Sequence, residues 1–248
     1  MTFWDHLDVL RRSIVRCVIV LLVAAIGLFA FKEFLFDDLI LAPSKGDFFL
    51  YKWIGADFSL DLVNLEVTAQ FMIHMKMAFL CALVLTFPYL IYKVWEFISP
   101  ALYDNERRAL RKAFVFASCL FYVGVVVGYT FIFPLMLNFF ADYQVSSAVP
   151  NTFSLSSYIS LLTSMVLTFG IVFEFPTVAA LLSSLGILTK ETMKKYRRHA
   201  ICAVVILAAV ITPSGDPFSM MVVAVPLFLL YEFSVFICKS GKTEVIEN

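Results

Sequence analysis

Twelve residues between two long apolar runs hold the densest polar chemistry of the chain: Phe97-Ile98-Ser99-Pro100-Ala101-Leu102-Tyr103-Asp104-Asn105-Glu106-Arg107-Arg108. A carboxylate presented there beside an aromatic such as Phe97 can hold a guanidinium through two parallel hydrogen bonds, and Glu106 is the candidate. The same residues suit a plainer role, with Pro100 and Tyr103 shaping a turn and the acids opening a helix whose dipole favours negative charge. Residue types alone leave these two readings level. A second carboxylate, Glu174, lies in Gly170-Ile171-Val172-Phe173-Glu174-Phe175-Pro176, near the middle of another apolar run. A charged, unpaired carboxylate at that depth costs about 2.5–3.5 kcal/mol. It must face a wet cavity, find a donor or carry a proton. A protonated glutamate bonded to a neighbouring helix is the structural alternative to a functional acid.

The rest of the titratable inventory is sparse. Cys17, Cys81, Cys119, Cys202 and Cys238 all sit inside apolar runs without paired spacing, which reads as small buried residues rather than a disulfide framework or a zinc site. His6, His74 and His199 are scattered, so no metal or haem and no cofactor is implied. No serine or cysteine nucleophile is paired with a histidine within an apolar run, which argues against an intramembrane hydrolase. The formal net charge is zero, so no global field draws nucleic acid.

These residues must be positioned by membrane spans. The chain has 248 residues, 61% of them hydrophobic and 15% charged. A soluble domain carries about 45–50% and 25%. With roughly 20 apolar residues needed per crossing, the runs predict six transmembrane helices, at about 14–36, 67–92, 111–140, 153–188, 199–211 and 218–238, within a single membrane domain, 1–248. The apolar part of the fifth covers only residues 200–211, about 18 Å of helix. Lysine and arginine set the orientation: fifteen fall at the N-terminus, after spans two and four and in the tail, against three (Lys32, Lys45 and Lys52) in the first loop of the other side. Both termini are therefore expected in the cytosol.

Residues 1–12 read as a short amphipathic helix at the membrane surface, with Phe3, Leu7 and Leu10 on one face, Asp5 and Asp8 on another, and Arg11 and Arg12 following. The first outer loop, 37–66, carries Phe48, Phe49, Tyr51 and Trp53, which suit a membrane interface. Pro88, Pro134, Pro176 and Pro226 fall inside spans two, three, four and six. They predict kinked helices in a concave bundle. Gly124 and Gly128 form a small-xxx-small pair that admits a close neighbour. A proton- or ion-coupled small-solute transporter using Glu174 is one reading of such a chain. It needs more polar lining than spans three, five and six offer.

Several ordered stretches resemble the TatC family, the core membrane subunit of the twin-arginine protein translocase. They are His6-Leu7-x-x-Leu10-Arg11, Ala42-Pro43, Phe87-Pro88 through Tyr92-x-x-Trp95-x-Phe97, and Pro100-Ala101-Leu102-Tyr103-x-x-Glu106-Arg107-Arg108. Phe169-Gly170-x-x-Phe173-Glu174-x-Pro176, Thr212-Pro213 with Asp216, and Pro226 with Tyr231-Glu232 complete the set, covering the chain from about His6 to Phe236. The resemblance implies an all-α, cup-like membrane protein whose last two helices are short, in the bacterial cytoplasmic (inner) membrane. It implies binding of twin-arginine signal peptides of folded cargo on the cytosolic side. It also implies assembly with single-span TatA/TatB-type subunits and further copies of itself, and export driven by the proton-motive force. Position by position, Glu106 matches the family's signal-binding glutamate, Phe97 the phenylalanine beside it and Arg11 an N-terminal arginine. Glu174 matches the intramembrane acid, Asp216 the acid of the last outer loop and Pro43 a proline of the first. The family's second recognition glutamate is replaced by Val9, and Asp8 or Asp5 is expected to supply the missing charge. Ser219 is followed by Met220 where many relatives have glutamine.

Overall fold

The computed structural model describes residues 3–54, 60–98, 104–146, 148, 151–184, 186–212 and 215–240, and their side chains apart from those of 3–6, 54, 98 and 104–112. Among the described residues the regular structure is helical apart from one parallel pair of two-residue strands, β1 (Leu62–Val63) and β2 (Phe153–Ser154). Two compact units form, one of residues 1–100 with 125–169 and the other of residues 101–124 with 170–248.

In the first unit, α1 (Phe3–Ala30) is one unbroken helix of 28 residues. The amphipathic segment and the first span, expected as two elements, are fused, because neither proline nor glycine interrupts the chain before Gly27. A short α2 (Phe49–Ile54) follows in the outer loop. Then α3 (Ala69–Ile98), 30 residues with Pro88 inside it, packs along α1. Phe29 near the end of α1 stacks on His74 near the start of α3, with centroids 3.9 Å apart, so the two helices run antiparallel.

The prolines act unequally. Pro88 and Pro226 lie inside continuous helices. Pro134 follows a π-helical turn, Gly128–Ile132, which separates α4 (Asp104–Val127) from α5 (Phe133–Asp142). Pro176 stands just beyond the break between α6 (Leu155–Val172) and α7 (Phe175–Ser184). A Cβ on Gly128 would lie 2.9 Å from the Met165 carbonyl oxygen, so the absence of a side chain is what lets these two segments touch.

The outer loop is tied down by its carbonyls. A π-helical turn, Phe34–Ile40, and a 3₁₀ turn, Ala42–Ser44, leave carbonyls without ladder partners, and side chains supply the donors. Tyr158 donates to Ile40 O at 2.8 Å, Tyr51 to Pro43 O at 2.9 Å, Lys45 to Asp37 O at 2.9 Å, and Tyr129 to Leu39 O. Leu35, Ile40, Leu50, Phe133, Met136 and Tyr158 are buried among the residues beneath.

In the second unit α10 (Pro217–Ile237) packs on α7, α8 (Lys190–Lys195) and α9 (Arg197–Ile211). Ala179, Met193, Tyr231, Val235 and Cys238 form its buried cluster. Gly186, at φ +75°, turns the chain out of α7, and Leu182 O accepts from both Ile187 and Leu188 amides. Among the described residues five helical segments are long and apolar enough to cross a membrane: Leu7–Ala30, Ala69–Phe97, Ala113–Asp142, Leu155–Ser184 and Pro217–Ile237. The remaining crossing candidate, α9, has 15 residues and reaches about 22 Å. Among the described residues, the last two crossing candidates are thus the shortest of the six.

Candidate functional site

Antiparallel packing places the start of α1 at the closing end of α3. Arg11 lies 18 residues before Phe29, about 27 Å along the helix, and the same rise from His74 reaches about Tyr92. Charges on Arg16 and Lys93 lie close enough to interact, in keeping with that alignment. Asp8 and Arg11 therefore stand level with Tyr92–Trp95, and Phe97 follows within a turn. Arg11 and Asp8 are one helical turn apart, exposed, and 3.4 Å from each other. Phe97 is half-buried in the last turn of α3. Beside it Lys93 pairs with Glu96 and lies 5.7 and 5.6 Å from the ring centroids of Tyr89 and Tyr92. Aromatic and charged side chains of α3 thus stand at the same height as the Asp8–Arg11 pair of α1.

Two of the expected acids lie partly outside the described residues. Glu106 stands in the first turn of α4, not in an open loop; its side chain, and that of Asp5, are outside the described set. From Asp104 onward the backbone is helical, as in the helix-start reading, where the free amides of the first turn favour acids.

Glu174 occupies the break between α6 and α7. Its amide donates to Ile171 O and its carbonyl accepts from Val178, each at 3.0 Å, so the turn closes around it. Pro176 has no amide to continue the ladder, which is why the helix breaks here. Glu174 Oε1 and, three residues on, Thr177 Oγ1 are both buried and make no full hydrogen bond among the described residues, though the two side chains lie near enough for a weak polar contact. An unsatisfied carboxylate oxygen in an apolar setting is costly. That makes Glu174 a group held ready for a donor.

Asp216 and Pro43 have local work. Asp216 caps α10, its carboxylate accepting from the Ser219 amide at 2.8 Å, with Pro217 in the first helical position. Pro43 is buried, and its carbonyl holds Tyr51. No group of three or more His, Cys, Asp or Glu side chains among the described residues is arranged to hold a metal ion.

Sequence reading missed one paired site. Glu232 on α10 holds Arg197 at the start of α9 in a forked ion pair, Nε to Oε1 at 2.6 Å and Nη2 to Oε2. The carboxylate raises the guanidinium pKa above its usual range, chiefly through that hydrogen bond. Tyr231 beside it donates to Met193 O at 2.6 Å. A Tyr-Glu pair closing the last span, with a basic cluster 35 residues earlier, was the available signal.

Comparison with known proteins follows the same geometry. The model of the family described as Sec-independent protein translocase protein (TatC) matches residues 5–226. A TatC protein of Blattabacterium sp. subsp. Periplaneta americana is 36% identical, covering 96% of this chain and 94% of its own length. The TatC protein of Escherichia coli K12 is 31% identical, covering 93% and 85%. A crystal structure of the twin arginine translocase receptor TatC, solved in DDM, superposes with a TM-score of 0.78 at 29% identity, covering 94% of this chain and 99% of that one. A second crystal structure of that receptor gives 0.75 over 94% and 97%. With a family match over nearly the whole length, relatives above 30% identity and the same helical fold, this chain belongs to the TatC family of Sec-independent protein translocase proteins.

Proposed function

We propose that this chain, acting as a single membrane domain, is the receptor subunit of a twin-arginine translocase. It binds the paired arginines of a signal peptide on the cytosolic face of the bacterial inner membrane, with both termini on that side. It works beside single-span TatA/TatB-type subunits and further copies of itself, and folded cargo is exported at the expense of the proton-motive force. The observation that carries this reading is the gathering of Asp8, Arg11 and Phe97 at one end of the α1–α3 pair in a TatC-family chain. The bias of fifteen basic residues against three supports the orientation. Nothing in the fold or the relatives supports a small-solute transporter.

Glu106 holds one guanidinium bidentately, Phe97 packs on its face or on the apolar part of the signal, and Asp8 or Asp5 meets the second arginine. The apolar core of the signal, or a partner helix, then reaches Glu174 and Thr177. The test is binding of a fluorescent twin-arginine peptide to the purified full chain. Glu106→Gln, or a twin-lysine peptide on the wild type, is expected to weaken binding by at least about tenfold, the worth of one charge-assisted bidentate contact. Equal binding in all three combinations sinks the proposal.

A further inference from the structure

The face of the first unit where α1 meets α3 holds a groove of about 570 Å³, lined almost wholly by apolar groups such as Leu22, Ile26 and Phe29 of α1 and Phe71, Met75 and Phe79 of α3. Its size falls within the range of sites that hold small molecules. The one charged residue in the lining is Lys76, which is exposed and, among the described residues, forms no ion pair. No residue of the apolar stretch of α1 is buried within the chain, so this face is turned outward, toward hydrocarbon.

The depth of Lys76 is specific. The apolar stretch Ala69–Phe97 has 29 residues, about 43 Å, against a hydrocarbon core of about 30 Å. With the stretch centred, the core begins about 6–7 Å in from Ala69. The Lys76 backbone, about 10 Å in, then lies a few ångströms inside it. A lysine at that depth extends its stem along apolar surface and puts its ammonium at the level of lipid phosphates.

We infer that the α1–α3 groove with Lys76 is a binding site for one anionic glycerophospholipid, the ammonium donating to the phosphate and one acyl chain lying in the groove. Apolar lining alone selects no lipid over another; the lysine at the rim selects the anionic headgroup, because no other lining residue carries a charge to offset it. Ala25, small and in the lining, leaves the width that a chain needs.

The experiment is native mass spectrometry of the full chain, delipidated in neutral detergent and titrated with phosphatidylglycerol, phosphatidylcholine or inorganic phosphate. The wild type is expected to retain a single phosphatidylglycerol about tenfold more readily than phosphatidylcholine. Lys76→Gln should remove that preference, and Lys76→Arg should keep it. Ala25→Trp, which fills the groove and leaves the charge, should weaken retention of both lipids. Equal retention of the two lipids by the wild type overturns the inference, and so does a preference that survives Lys76→Gln. Displacement of the lipid by inorganic phosphate, or unchanged retention in Ala25→Trp, overturns it too. Should Lys76→Gln not survive purification, the wild-type lipid preference together with Ala25→Trp decides the matter.

Discussion

Two adjacent arginines present two planar forks, and one carboxylate can satisfy only one of them. On the proposed reading the second acid comes from another element, and α1 offers Asp8, next to Val9. Asp8 now leans on Arg11, but an exposed pair of this kind is worth about 0–1 kcal/mol, so releasing it to a peptide costs little. Asp8→Asn is expected to weaken twin-arginine peptide binding several-fold without lowering the melting temperature, with Asp5→Asn as its companion; fluorescence anisotropy and thermal melts read the two effects separately. Unchanged binding in the double variant would mean that neither acid meets the peptide. Arg197 and Glu232 show the opposite arrangement, a forked pair already closed between α9 and α10, and so unavailable to a peptide unless it is broken.

Elements carry the next level of argument. The outer loop is ordered by hydroxyl groups reaching carbonyls, and Tyr51 is its most testable member. Tyr51→Phe leaves the buried Pro43 carbonyl without its donor and is expected to cost about 1–3 kcal/mol. Burial also holds the Tyr51 phenol above its usual range. The folded chain keeps this proton while the unfolded chain loses it near pH 10, so stability present below that pH should fall as pH rises through it, by up to about 1.4 kcal/mol per unit from this group. Alkaline melts of wild type and Tyr51→Phe should show the steeper fall only in the wild type. At the π-helical turn, Gly128→Leu drives a side chain into the Met165 carbonyl and should cost about 1–3 kcal/mol by thermal melt, with Gly27→Leu, where nothing lies within 4 Å, as the neutral control. The close approach at Gly128 was legible, because glycine spacing is local; of the four prolines expected to kink their spans, Pro134 and Pro176 stand beside breaks, while Pro88 and Pro226 lie inside continuous helices. The outer-loop bonds were not legible: Tyr129 and Tyr158 lie 90 and 118 residues from the carbonyls they hold, and no periodicity encodes such a reach.

At the scale of the whole molecule, hydropathy carried most of what could be read. The short α9 appeared as a break in the apolar run at residue 212, since a 15-residue helix about 22 Å long cannot match a core of about 30 Å. Such a mismatch draws the bilayer thinner around it. The orientation can be checked with single cysteines in a background lacking the native five. A membrane-impermeant maleimide added to intact cells stripped of the outer membrane is expected to label Lys52→Cys at once and Lys195→Cys only after lysis; the reverse pattern would invert the topology.

The unbroken α1 has a mechanical consequence. A pull applied near Arg11 finds no proline before Ala30 and no glycine before Gly27, so nothing hinges in between. The helix must answer as a lever, converting a sideways tug at one membrane face into a tilt felt at the other, where Phe29 rests flat against His74. On the proposed reading, a rod about 42 Å long would give a docked cargo a direct handle on the far side of the membrane.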